Sequence, residues 1–217
     1  HCAKTCAELG ATVLLLNRTS ERATKAEQQI REAAPGSKVA TMPCDLQNFQ
    51  SVRDCAAMIS GDYGETGIDV LCCNAGVMAS VDSATGDGCD VQMQTNHLSH
   101  FLLAGELWPL LEAAEKLRGE ARVVTHASIA ARGNPPLDAK YLGRNGGNLG
   151  GDKCSMPFSG PRWDRYHQTK LANLVFMYAL HDRCQRAKSK VKSLCAHPGV
   201  AATELQVKSV ADKGMGG

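Results

Sequence analysis

"ATVLLLNRTSERATKAEQQIREAAPGSKVATMPC" covers residues 11–44. Its first part, 11–17, is an apolar, partly β-branched run of strand length. A polar, helix-prone stretch follows at 20–34; it begins at Ser20 and ends before Pro35-Gly36. A second strand-like run occupies 38–44. Strand, helix and strand in so short a span predict two parallel strands joined by a helical crossover. The same alternation continues outward. "NFQSVRDCAAMIS" (48–60) places Phe49, Val52, Ala56, Met58 and Ile59 in a helical rhythm. "IDVLCCN" (68–74) predicts a strand, 89–118 a long helical segment, and "ARVVTHAS" (121–128) a strand ending at Ser128. A helix carrying Tyr166 and a strand in "KVKSLCAHPG" (190–199) complete the series, and "HCAKTCAELG" at the start reads as helix. The strands are apolar throughout rather than alternating, which predicts helices on both sheet faces. The fold class is therefore α/β with a doubly wound parallel sheet. Right-handed crossovers put every strand C-terminus on one rim, where such folds bind ligands. "NR", "CDL", "NAG", "AS" and "HPG" all fall there.

Composition narrows the function. The 217 residues are 43% hydrophobic and 21% charged with net charge +2, ordinary for one globular domain and without the basic excess of a nucleic-acid binder. "RAKSKVK" (186–192) reads as a helix C-terminus entering a strand, where cations complement the dipole. No apolar run approaches the ~18 residues a membrane span needs. Ten cysteines occur without a C-x-x-C, and several lie in apolar runs, so they read as buried thiols in an intracellular, reducing compartment. His97 and His100, at i and i+3, are a candidate ligand pair without a third partner, and no metal site is expected. Residues 132–161 hold seven Gly and four Pro, which no helix or strand tolerates. They form an insertion in one domain, expected as an active-site flap or a partly disordered loop.

The chemistry centres on "RYHQTKLAN" (165–173). Tyr166 and Lys170 stand one helical turn apart, on one face. Four Tyr and twelve Lys in 217 residues supply about 0.2 such pairs by chance, so the neighbours must decide. Free tyrosine has a pKa of about 10, and lowering it by ~3 units takes about 4 kcal/mol. A nearby ammonium favours the phenolate. The Ser128 hydroxyl, at a strand end on the rim, is placed to bond the same substrate oxygen. Pro161 suits a first helical position. Leu171, Leu174, Val175, Tyr178 and Ala179 make an apolar stripe predicted to be the buried face. Tyr166 sits about 140° from Leu171, so it is expected to face a cleft rather than the core.

Taken together, "NAG" (74–76), "TNHLSHFLL" (95–103), "VVTHAS" (123–128), "YHQTKLAN" (166–173) and "HPGVAAT" (197–203) resemble the short-chain dehydrogenase/reductase family, most of all its retinol-dehydrogenase-like branch. The resemblance runs from end to end of the chain. It implies a Rossmann-type sheet and a catalytic set: Tyr166 as general acid/base, Lys170 to lower its pKa and bind the nicotinamide ribose, Ser128 to position the substrate oxygen, and Asn96 to help hold a relay water. It further implies cofactor contacts from Asn74, Ala75 and Gly76, from Asp45 and Leu46 at the adenine, and from Pro198, Gly199 and Thr203 at the nicotinamide. At the end of the first strand in this chain, Asn17-Arg18 offers an arginine and no carboxylate, which favours NADP(H) over NAD(H). The activity implied is hydride transfer between NADP and a small apolar carbonyl or alcohol. Reduction of an activated C=C bond, or a non-catalytic NADP sensor or scaffold on the same fold, are the alternatives. A homodimer is possible by analogy.

Cys73 stands where the family often has Asn, and Ala127 where the branch often has Ser. The 38-residue gap from Ser128 to Tyr166 exceeds the family's usual spacing. The family's first strand and Gly-rich turn are expected before His1, and its substrate-covering part after Thr203. The chain therefore reads as part of a longer enzyme, incomplete at both ends, with membrane association left open.

Overall fold

The apolar runs become strands where the sequence predicts them. The computed structural model describes residues 1–132, 136–199 and 204–215. After helix α1 (Cys2–Glu8), strand β1 (Val13–Asn17) and strand β2 (Val39–Pro43) pair in parallel, Val13 opposite Val39 and Asn17 opposite Pro43. Helix α2 (Glu21–Ala33) joins them, and the Ser20 Oγ caps it by accepting from the Ala23 N–H at 3.2 Å. Helix α3 (Phe49–Tyr63) is capped in the same way by Asn48, which accepts from the Ser51 N–H at 3.1 Å. Strands β3 (Val70–Cys73), β4 (Ala121–His126) and β5 (Val191–Ala196) form a second parallel sheet with β4 in the middle.

The five strands pair only in parallel among the described residues, but they form two sheets instead of one. Among the described residues, β1 pairs only with β2 and β3 only with β4. One core spans both sheets. Leu14 and Leu16 of β1 pack on the cluster that holds Val52, Ile59, Leu71, Val123 and Val191. Val13 and Leu15, on the opposite face of β1, pack with Ala7, Ile30 and Val39. That is the period-two alternation of a strand between two layers. The second sheet departs from the expectation of two covered faces. Leu71, Cys73 and Val123 are buried, whereas Val70, Cys72 and Leu194 are exposed. Helices contribute to the core on the face of Leu71 and Val123; the outward apolar residues lack such cover among the described residues.

The segment 89–118 is not one helix. A short helix α4 (Val91–Met93) runs into a π-helical turn, Gln94–Leu98, then helix α5 (Ser99–Glu106). The chain breaks at Leu107 before helix α6 (Trp108–Arg118). Pro109 explains the break, because it has no N–H to continue the ladder.

Helix α7 (Pro161–Ala187) starts at Pro161 as expected, but its buried face is not the predicted stripe. Val175 and Tyr178 are 45% and 60% exposed. The buried face instead runs Trp163, Tyr166, Thr169, Lys170, Asn173 and Cys184, with Phe176 and Leu180 packed on the core. Polar residues with long-range partners occupy the positions that apolar periodicity assigned to the outside. Tyr166 is correspondingly 5% exposed, packed with Trp163 and Ala79.

The described part of the Gly/Pro-rich insertion, 136–160, has one short 3₁₀ turn, Ala139–Tyr141, and is tied down at several points. The Asp82 carboxylate accepts from the N–H groups of Leu149 and Gly150 at 3.0 and 2.7 Å. The Ser155 N–H donates to the Lys213 carbonyl at 2.9 Å. Gly146 is required by close approach: a Cβ there would lie 2.4 Å from the Asp90 nitrogen. Past β5, residues 197–199 lead toward helix α8 (Glu204–Ala211). No helix among the described residues is long and apolar enough to cross a membrane.

Candidate functional site

Three stretches meet here: the end of β4, the π-helical turn and the first half of α7. Ser128 follows β4 directly, in extended backbone, and its hydroxyl accepts from the Ala130 N–H at 3.2 Å. That hydroxyl is also the hydrogen-bond partner of the Tyr166 phenol. Lys170, one turn along α7, carries its Nζ 5.6 Å from the Tyr166 ring centroid. Asn96 lies in the π-helical turn. Its Oδ1 accepts from the Val77 N–H at 2.7 Å, and its Nδ2 donates to the Val77 carbonyl at 2.9 Å and the Thr169 hydroxyl at 3.0 Å. Ser128, Tyr166, Lys170 and Asn96 are thus neighbours.

Their electrostatics differ from the simple expectation. Burial raises the Tyr166 pKa, and the Ser128 hydrogen bond opposes that only in part. Burial also pushes Lys170 down to about 8. The ammonium is drawn away from the phenol, donating to the His126 carbonyl at 3.1 Å and facing the His126 Nδ1 at 3.4 Å. The Asn96 side chain is spent on Val77 and Thr169. A relay water at this residue would have to use its main-chain carbonyl, which the His100 Nδ1 contacts at 3.1 Å.

The expected cofactor residues divide into three groups. Gly76 reaches Asn96 and Lys170: a Cβ there would stand 3.1 Å from the Asn96 Oδ1 and 3.8 Å from the Lys170 Nζ. A Cβ there would crowd the Asn96 side chain and meet the lysine ammonium only at ordinary contact distance. Asn74 and Ala75 are exposed just beyond β3. Asn17, Arg18, Asp45 and Leu46 lie at the ends of β1 and β2. Arg18 is exposed, the Asp45 carboxylate accepts from the Gln47 N–H at 2.9 Å, and Leu46 receives the Ser99 hydroxyl on its carbonyl at 2.6 Å. Pro198 and Gly199 are exposed beyond β5, and Gly199 donates its N–H to the His197 Nδ1 at 3.1 Å. Thr203 lies outside the described residues. His97 and His100 each hold a protein partner through Nδ1, Asn173 at 3.0 Å and the Asn96 carbonyl respectively.

Several residues that support the site went unread in the sequence. Asn173 donates to the same His126 carbonyl as Lys170, at 3.1 Å. Its position three residues past Lys170 was the available signal. Trp163 packs edge-on against Tyr166, centroids 5.8 Å apart at 89°, and its indole N–H donates to the Gly214 carbonyl at 2.9 Å. Arg165 is fully buried and pairs with the buried Asp90 at 2.8 Å. It also donates to the carbonyls of Ser80 and Gly150 at 3.0 and 3.1 Å. Arg162 donates to the carbonyls of Gly151 and Asp212 at 2.8 and 2.6 Å. These two arginines tie the start of α7, the Gly-rich segment and the 79–90 segment into one support around Tyr166. Nothing local in the sequence signals a partner 75 residues away.

A family model described as short chain dehydrogenase matches residues 1–143. The chain is 35% identical over 201 residues to an uncharacterized oxidoreductase of Schizosaccharomyces pombe, covering 92% of this chain and 56% of that protein. It is 32% identical over 200 residues to human retinol dehydrogenase 13, covering 92% and 54%. The chain thus spans a little over half the length of these curated relatives. Among solved structures, an uncharacterized protein from Mycobacterium paratuberculosis matches with a TM-score of 0.71 at 34% identity, over 98% of this chain and 67% of that one. A short chain dehydrogenase from Escherichia coli CFT073, complexed with NADPH, shares the fold with a TM-score of 0.68 at 22% identity, over 96% and 75%.

Proposed function

This chain belongs to the short-chain dehydrogenase family, and on that premise we propose that it serves an NADP-dependent oxidoreductase acting on apolar carbonyl or alcohol substrates. The observation that carries the proposal is the meeting of Ser128, Tyr166, Lys170 and Asn96 from three parts of the chain, with the Tyr166 phenol bonded to Ser128. A bound nicotinamide would supply or accept the hydride. The protein's part is to bind, orient and move one proton. Ser128 and Tyr166 present two hydroxyls to a single substrate oxygen, and Tyr166 gives or takes the proton there. Lys170, Gly76 and the "HPG" turn would hold the nicotinamide ribose. Arg18, exposed where a carboxylate would otherwise select NAD, would receive the NADP phosphate.

Because burial raises the free Tyr166 pKa, the phenolate needs Lys170 to turn from His126 toward Tyr166, or a cationic ring beside the phenol. The ten cysteines are all free, which suits a reducing compartment. A homodimer through α5 and α7 is part of the proposal. Phe101 and Phe176 meet edge-on at 5.4 Å, and the exposed Phe101, Val175 and Tyr178 lie on these two helices.

Tyr166→Phe in the full-length protein tests the proposal. We expect NADPH binding to persist while turnover of a panel of apolar aldehydes and ketones drops at least 100-fold, the scale of a lost general acid. Turnover within a fewfold of the native protein would refute it.

A further inference from the structure

His126 is the unusual neighbour of Lys170. It is the last residue of β4, two positions before Ser128, and half-buried by its surroundings. Its Nδ1 faces the Lys170 Nζ at 3.4 Å, and its carbonyl receives the same ammonium at 3.1 Å. An ammonium only donates, so the Nδ1 that faces it presents a lone pair, and the ring proton sits on Nε2. Two of the three lysine donors are thereby directed to one residue, and Gly76 lies beside the ammonium on the cofactor's expected path. Asn173 fixes the arrangement by donating to the His126 carbonyl at 3.1 Å while its Oδ1 meets the His97 Nδ1 at 3.0 Å.

We infer that His126 is a positioning residue for Lys170: its neutral ring holds the ammonium at the end of β4, and a protonated ring would release it. Protonation turns Nδ1 from acceptor to donor and sets two cations side by side in a largely buried place. The other titratable groups around the pair do not relieve that repulsion. His197 follows β5 and, if charged, adds to it. His100 and His97, on α5 and the π-helical turn, are kept neutral by burial. Cys195 of β5 favours the charged lysine, which keeps the ammonium in place to repel a charged ring. Tyr166, on the lysine's own helix, is held protonated by burial. Burial, Lys170 and His197 all lower the His126 pKa, so the ring is neutral at pH 7 and charges only in acid.

The inference rests on the role proposed for Lys170 in holding the cofactor, and two measurements separate the two ideas. The first is the NADPH dissociation constant of the full-length protein between pH 5 and 7.5. The native protein should lose affinity severalfold as His126 takes up its proton. His126→Asn keeps an acceptor near the Nδ1 position but cannot titrate, so that loss should disappear; a slope common to both proteins belongs to the cofactor's own phosphate. An identical acid loss in native protein and variant overturns the inference. The second is the His126 ring titration followed by NMR. Lys170→Met should move its midpoint up toward the ordinary histidine value, because a neighbouring cation is gone; an unmoved midpoint also overturns the inference. If NADPH does not bind at any pH, the dehydrogenase proposal fails, and the NMR titration still decides whether His126 and Lys170 are coupled.

Discussion

The two halves of α7 treat polarity in opposite ways. From Pro161 to Asn173 the helix buries Arg162, Arg165, Gln168, Thr169, Lys170 and Asn173. From Leu174 onward it leaves Val175 and Tyr178 in the open. A helix that only supported a core would do the reverse. Each of these six side chains has a partner from elsewhere in the chain, so burial there holds a site in place rather than adding hydrophobic stability. The second half needs only Phe176, Leu180 and Cys184 on the core and can leave its outer face for other uses.

The contrast should be largest where a buried charge loses its partner. Asp90→Ala leaves Arg165 buried without its carboxylate and should cost about 3–5 kcal/mol in urea unfolding. A loss below ~1 kcal/mol would mean the ion pair does not anchor the start of α7. Acid comes next. His100 is buried with a pKa of about 4, below the ordinary 6.5, so the unfolded chain takes up its proton first as the pH falls. Its contribution is complete above about pH 6.5 and is lost progressively down to about pH 4, roughly 3 kcal/mol in all. His100→Asn should flatten that part of the stability–pH profile.

Lys170 gives an effect of opposite sign. Its pKa of about 8 lies below the ordinary 10.5, so keeping it charged costs stability at every pH below 8, and the cost fades toward 10.5. Lys170→Met should stabilise the fold at pH 7 by about 1–3 kcal/mol while abolishing turnover. Destabilisation at pH 7 would show that its hydrogen bonds outweigh its burial. The smallest effect belongs to the second half of α7. Tyr178→Lys should change unfolding stability by no more than ~0.5 kcal/mol. In sedimentation it should weaken any dimer that uses α5 and α7; a stability change above 1 kcal/mol would mean this face is less free than its exposure indicates.

The same contrast explains what the sequence could reveal. The βαβ frame was legible because β1, α2 and β2 are local: apolar runs, a Ser20 cap and a Pro35-Gly36 stop lie within one short stretch. Ser128, Tyr166 and Lys170 were legible because strand end and helix turn are local as well. The buried face of α7 was not. Apolar periodicity places Arg162, Arg165 and Lys170 outside, and only partners as remote as Asp90, Asp212 and His126 bring them in. Composition correctly denied regular structure to most of 136–160. It could not show that Asp82, Gln168 and the two arginines hold that segment.

The most direct test of the central proposal is to follow the hydride itself. The full-length protein would be given NADPH carrying deuterium at the transferable C4 position, together with a panel of apolar aldehydes and ketones that includes α,β-unsaturated members. Hydride transfer supported by Tyr166 and Ser128 predicts deuterium on the carbinol carbon of the alcohol formed, with the hydroxyl proton drawn from solvent. Deuterium on a former alkene carbon, or NADPH that binds without passing its label to any product, would contradict it.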